Sequence, residues 1–181
     1  MNLPNKLTIF RVILIPFFVV FMKLPLGGGD LHRYIALAIF IVACLTDTLD
    51  GYIARKYHLI TDFGKFMDPL ADKLLVCAAM ICLIDTQQLP SWVVIVIISR
   101  EFIISGFRLI ASDNGIVIAA SKWGKFKTIC QMVMVILLLI HFKGQVAFVL
   151  EQIFIYLALV LTIVSLIDYL YKNRQVLGSQ K

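Results

Sequence analysis

Apolar residues run along this chain in blocks that are long for a soluble core. Val93–Ile98 and Val133–Ile140 contain no polar side chain, and Ile153–Leu166 contains few. Short polar breaks separate the blocks: Gly27-Gly28-Gly29-Asp30, Gln87-Gln88-Leu89-Pro90, Asp113-Asn114-Gly115 and Lys143-Gly144-Gln145. Glycine, proline and asparagine at such breaks end helices rather than continue them. The pattern predicts six helices, over 5–22, 32–55, 65–85, 90–112, 125–143 and 146–171. Apolar spans repeated along a short chain predict an all-α fold. We expect a polytopic membrane protein, a six-transmembrane-helix bundle in a single domain over 1–181, with a polar cavity at the cytoplasmic side. Leu7–Met22 could pass for a signal peptide. Arg11 interrupts it, and Lys23-Leu24-Pro25-Leu26 lacks a small-residue cleavage pattern, so it reads as the first span.

Composition agrees with the pattern. Of 181 residues, 61% are apolar, against roughly 45–50% in a soluble domain, and mean hydropathy is +0.94. The formal charge of +6 would suggest a nucleic-acid partner on a soluble protein. Here the cations sit between spans, so no nucleic acid is expected. An even number of spans puts both termini on one side. That side carries Lys6, Arg11, Arg55, Lys56, Lys65, Lys122, Lys125, Lys127, Lys172, Arg174 and Lys181, with Lys73, Arg100 and Arg108 leaning towards it. The other side has only Lys23, Arg33 and Lys143. The positive-inside rule then places both termini in the cytoplasm, in the cell (plasma) membrane. Cys44, Cys77, Cys82 and Cys130 fall within apolar stretches, at spacings of neither a zinc site nor a redox pair. They read as buried thiols without a disulfide.

Two spans are too short without their acids. Tyr34–Leu45 covers about 18 Å at about 1.5 Å per residue, against a hydrocarbon core of about 30 Å. The second helix must therefore take Asp47 and Asp50 into the membrane or a polar cavity. Leu74–Ile84 is short in the same way, and the third helix must include Asp68 and Asp72. The two helices are antiparallel, so all four acids lie near one end. Spacings of three and four put each pair on one helix face. A carboxylate at membrane depth costs about 2.5–3.5 kcal/mol, and four together repel. Divalent cations relieve both costs, and all-oxygen ligation suits Mg2+ or Mn2+. The plainer alternative is four acids capping helices at a wet interface. Gly51 and Gly64 allow close approach of backbone or ligand. Arg55 could bind a phosphate or anchor at lipid headgroups.

Together, Asp47-Thr48-Leu49-Asp50-Gly51-Tyr52-Ile53-Ala54-Arg55, eight residues, and Gly64-Lys65-Phe66-Met67-Asp68-Pro69-Leu70-Ala71-Asp72 resemble the signature of the CDP-alcohol phosphotransferase family. That pattern is D-x-x-D-G-x-x-A-R, eight residues, G-x-x-x-D-x-x-x-D, and every fixed position matches. The resemblance implies that Asp47, Asp50 and Asp68 hold metal, two ions of Mg2+ or Mn2+. It implies that Asp72 is the general base with some metal contact of its own. Asn5, Thr8 and Arg11 look like the family's segment near the nucleotide, joined by Asp47, Gly51, Arg55 and Gly64. A homodimer in the membrane and CDP-diacylglycerol as donor are implied in the same way.

The second half bears on the acceptor. Glu101, Ser105 and Arg108 share one stripe of the fourth helix, beside Arg100, and Ser121, Lys122, Lys125 and Lys127 follow. Such a basic group suits a phosphorylated acceptor. Arg100–Arg108, with Ala120–Thr128 and Gln131, is similar to the branch of the family that uses sn-glycerol 3-phosphate. Arg108, Ser121, Lys122, Lys125 and Lys127 are therefore expected at the acceptor phosphate. Topology alone could explain any one lysine, and a buried ion pair could explain Arg100 and Glu101. Phosphatidylglycerol, inositol phosphate or serine as acceptor, and a small cation transporter, are the competing readings. His58 reads as solvated, and His32 and His141 lie at the opposite face.

Overall fold

The computed structural model describes residues 2–24, 30–57, 62–113, 118 and 121–174, without the side chains of Ala54, Arg55, Asp62, Phe63, Lys65, Phe66, Pro69 and Asp113. His58, Lys181 and the side chains of Arg55 and Lys65 lie outside the described residues. The six expected helices are all present: α1 Leu3–Lys23, α2 Leu31–Lys56, α3 Asp62–Asp85, α4 Ser91–Asp113, α5 Lys122–Ile140 and α6 Gln145–Lys172. No strand occurs among the described residues. Pro4 sits in the first turn of α1, where its missing N–H costs nothing. The largest departure from expectation is α5, displaced by three residues at each end. Its start is fixed by Ser121, whose Oγ accepts from Gly124 N at 3.0 Å. Its end is fixed by His141, in the left-handed region at φ 49°, ψ 62°.

Four helices are long and apolar enough to cross a membrane: α1, α2 as far as Ile53, α5 and α6. With 24 and 23 residues, α3 and α4 reach about 35 Å at 1.5 Å per residue, but they carry too many charged side chains to qualify on composition. Asp68, Asp72 and Lys73 interrupt α3, and Arg100, Glu101 and Arg108 interrupt α4. The outward faces are apolar: Phe10, Ile13, Phe17 and Val20 on α1, and Val146, Ile153, Val160 and Ile167 on α6, are all exposed. This is the inverse of a soluble surface, and the chain is a polytopic membrane protein.

The chain divides into two compact units, residues 1–88 and 89–181. In the first, α1 packs along both α2 and α3, which touch each other far less. Its buried stripe is Ile15, Phe18 and Met22, and that of α2 is Ala36, Phe40 and Ala43. Phe18 meets Phe40 with ring centroids 6.1 Å apart. The alanines let the backbones approach, as small residues do between helices in lipid. At the far end Lys23 pairs with Asp85, and Arg33 Nη2 donates to Gln88 Oε1 at 2.5 Å. In the second unit α6 packs against both α5 and α4. Its buried Thr162 and Ser165 donate to their own helix, to the carbonyls of Ala158 at 2.7 Å and Thr162 at 2.9 Å.

Close packing rather than water exclusion holds helices together in lipid, so volume added to the α2 stripe is unfavourable. Ala43→Leu is expected to destabilise by about 1–3 kcal/mol, measured as thermal unfolding in detergent. Leu45→Ala, on the exposed face, should melt close to the wild type.

Candidate active site

Three residues one turn apart make a polar stripe on the otherwise apolar α1. Asn5, Thr8 and Arg11 are all buried, and Arg11 is 0% exposed. The guanidinium of Arg11 spans two carboxylates of α2. Nη1 donates to Asp47 Oδ1 and Nη2 to Asp50 Oδ2, each at 2.5 Å. A planar fork suits this geometry where a lysine's point charge does not. One turn earlier, Thr8 Oγ1 donates to Asp68 Oδ1 of α3 at 2.5 Å and lies 3.2 Å from the Pro4 carbonyl. Thus α1 is tied to α2 by charge and to α3 by a hydroxyl.

The acids form one electrostatic group. Asp50, 2% exposed, interacts with both Asp47 and Asp68. Asp72 is half-buried one turn beyond Asp68 and interacts with Cys44, itself one turn before Asp47. Asp47, Asp50 and Asp68 set three carboxylates against the one guanidinium of Arg11. The group keeps a negative excess before Asp72 is counted. An all-oxygen, acid-rich donor set of this kind fits a hard divalent cation. Among the described residues no three His, Cys, Asp or Glu side chains converge on one point at ligand distance. Arg11 lies between Asp47 and Asp50 instead. Gly51 is half-buried and Gly64 buried.

The second unit has the opposite balance. Arg100 Nη1 donates to Glu101 Oε1 at 3.1 Å, and Lys127 Nζ donates to the same oxygen. Lys127 is 1% exposed and Arg100 7%. Lys127, expected at an acceptor phosphate, lies on the buried stripe of α5 with Cys130, Gln131 and Met134, and its ammonium donates to Glu101. Lys122 and Lys125 fall on the exposed side of the same helix. Ser121 caps α5. Gly124 lies close to Arg100: an added Cβ would meet Nη2 at 3.5 Å, an ordinary contact distance. Ser105 turns its hydroxyl onto the Glu101 carbonyl at 2.5 Å. Arg108 is exposed, with its guanidinium 5.7 Å from the centroid of the Tyr169 ring.

Sequence reasoning placed Arg11 near a nucleotide but missed its bridge to Asp47 and Asp50. The available signal was an arginine inside a membrane span, which needs an acid from another helix.

A polytopic helical protein with this acid cluster is of a known class. Residues 1–164 match the CDP-alcohol phosphatidyltransferase family, and the chain belongs to that family of membrane enzymes. It is 46% identical over 188 residues to the CDP-diacylglycerol--glycerol-3-phosphate 3-phosphatidyltransferase of Bacillus subtilis, covering 97% of each chain. It is 44% identical to the protein of the same name from Haemophilus influenzae, covering 93% of this chain and 91% of that one. A probable phosphatidylglycerophosphate synthase of Mycobacterium tuberculosis is 38% identical, over 98% of this chain and 84% of that one.

The clamp at Arg11 makes a direct prediction. Removing one partner of a buried ion pair costs about 3–5 kcal/mol, because the other charge is left bare. Arg11→Ala should therefore melt well below the wild type in detergent. Arg11→Lys, which keeps the charge but not the fork, should fall between them. Wild-type melting of Arg11→Ala would show that the clamp does not hold α1 to α2.

Proposed function

We propose that this chain makes phosphatidylglycerophosphate, transferring the phosphatidyl group of CDP-diacylglycerol to sn-glycerol 3-phosphate and releasing CMP. The observation that carries the reading is the full-length similarity to transferases named for that acceptor. The basic character of Arg100, Arg108, Lys122 and Lys125, which suits a phosphorylated acceptor, adds support.

In the reaction a hydroxyl oxygen of glycerol 3-phosphate attacks the phosphorus that bears the diacylglycerol. A new P–O bond forms, the P–O bond to CMP breaks, and CMP leaves with the electron pair. Asp72 accepts the proton of the attacking hydroxyl. Asp47, Asp50 and Asp68, with some contact from Asp72, would hold two divalent ions, Mg2+ or Mn2+. When bound, such ions neutralise charge on the pyrophosphate oxygens and stabilise the leaving group. Arg11 and Thr8 fix the orientation of the three acids, so that little rearrangement is needed when substrate arrives. Asn5, Thr8, Arg11, Asp47, Gly51, Arg55 and Gly64 form the nucleotide side. Arg108, Ser121, Lys122, Lys125 and Lys127 take the acceptor's phosphate, with Glu101 orienting Lys127. The chain acts as one catalytic domain in a homodimer of the cell membrane, with both termini and the polar cavity on the cytoplasmic side.

Purified enzyme given CDP-diacylglycerol and Mg2+ or Mn2+ should release CMP with glycerol 3-phosphate and not with inositol phosphate, serine or phosphatidylglycerol. Release with one of those acceptors alone would reassign the substrate. The division of labour among the acids is tested by titrating Mn2+ into two variants. Asp72→Asn should bind Mn2+ and CDP-diacylglycerol yet lose about 10²–10⁴-fold in transfer, the usual contribution of a positioned base. Asp68→Asn should weaken Mn2+ binding itself. The reverse pattern would exchange the two roles.

A further inference from the structure

Packing accounts for the ring of Tyr169 but not for its hydroxyl. The residue is 2% exposed, in a cluster with Ile104, Phe107 and Ala111 of α4. Its ring meets Phe107 edge-on, with centroids 5.8 Å apart at 80°. A phenylalanine would fill the same space. The hydroxyl is buried and has no hydrogen-bond partner. Such a burial is unfavourable unless something supplies an acceptor.

The groups around Tyr169 are cationic. Arg108 stacks over its ring, and Arg100 interacts electrostatically with both Tyr169 and Arg108. The Nε of Arg100 is also buried without a partner. Glu101 is the acid paired with Arg100, and Lys127 shares it. Asp168, the preceding residue on α6, is paired with Lys172 through Oδ1 at 2.6 Å, and its Oδ2 is buried without a partner. Among the described residues Arg100 and Lys127 both pair with Glu101 and Arg108 lies beside Arg100, so this set of three cations and one carboxylate carries a positive excess. Two buried donors with no acceptor and an excess of positive charge together suit an anion that has several oxygens. A phosphate monoester dianion is of that kind.

We propose that Tyr169 is an acceptor-phosphate residue. Its ring positions the guanidinium of Arg108 by stacking. Its hydroxyl donates to a phosphate oxygen of the acceptor, beside the Nε of Arg100. This rests on the function proposed above and adds a specificity determinant to it: the pocket reads the phosphate, and an acceptor with only hydroxyls leaves the donors unpaired.

The test is Tyr169→Phe, which keeps the ring and removes the hydroxyl. A hydrogen bond to a charged group is worth about tenfold or more in binding. The KM for glycerol 3-phosphate should rise by about that factor, with kcat at saturating acceptor and the KM for CDP-diacylglycerol changed little. Inhibition by inorganic phosphate should weaken in parallel, and the melting temperature without phosphate should not fall. Tyr169→Leu removes the stacking platform as well. In that background Arg108→Ala should raise the KM for glycerol 3-phosphate by a smaller factor than it does in the wild type. Wild-type KM and phosphate inhibition in Tyr169→Phe would overturn the proposal. So would a uniform loss of kcat and of both substrate affinities together with a lower melting temperature, which would mark a purely structural residue. Thermal protection by inorganic phosphate separates this proposal from the function it rests on. If wild-type enzyme released no CMP with glycerol 3-phosphate but phosphate protected it more than Tyr169→Phe, the acceptor would be wrong and the phosphate site would stand.

Discussion

A carboxylate carried into a bilayer has no water to solvate it and must find a cation, a donor or a proton. Asp47 and Asp50 find the two ends of one guanidinium, that of Arg11, from a different helix. The low dielectric that makes the acids costly also makes this fork strong. Once α1 is registered against α2 by Arg11, Thr8 falls opposite Asp68 and brings in α3. The apolar stripe of Ile15, Phe18 and Met22 continues the same face. Because α2 and α3 touch each other little, α1 acts as the wedge that sets the spacing between the two acid-bearing helices.

Each unit holds a buried bridging charge. In residues 1–88 one cation bridges two acids, and in residues 89–181 one acid, Glu101, bridges two cations. One bridging ion shared between two of the opposite sign links side chains without neutralising its immediate surroundings. In the first unit the acid group around Arg11 has a negative local excess, three carboxylates to one guanidinium, the sign that suits metal ions. The second keeps an excess of positive charge, the sign that gathers phosphate. Two charge reservoirs of opposite sign suit a reaction with a pyrophosphate donor and a phosphorylated acceptor.

Much of this was legible in the sequence, for physical reasons. Helix number followed from apolar blocks and their breaks, because lipid allows only helices or closed barrels to span it. The four acids were legible because two short spans could not cross without them. The ends of α5 were not, since they depend on the side-chain cap of Ser121 and the backbone twist of His141. The link between Arg11 and the acids joins positions 36 and 39 apart in the chain, and no local pattern encodes it. Lys122, Lys125 and Lys127 look alike as a run. The helical period separates them, exposing two and burying the third. Tyr169 sits in an apolar helix with several aromatics, and only the unpartnered hydroxyl sets it apart.

The Arg11 fork also bears on how the protein is made. Translation delivers α1 before α2, and a helix with an arginine at its buried face partitions less well by itself, at a cost of about 2.5–3.5 kcal/mol at full depth. Its counter-ions arrive with α2, so Asp47 and Asp50 offset that cost once the two helices meet. The α1–α2 hairpin is therefore better matched to lipid than α1 alone. The same two aspartates that belong to the acid group of the folded protein are thus a passport for α1 into the bilayer.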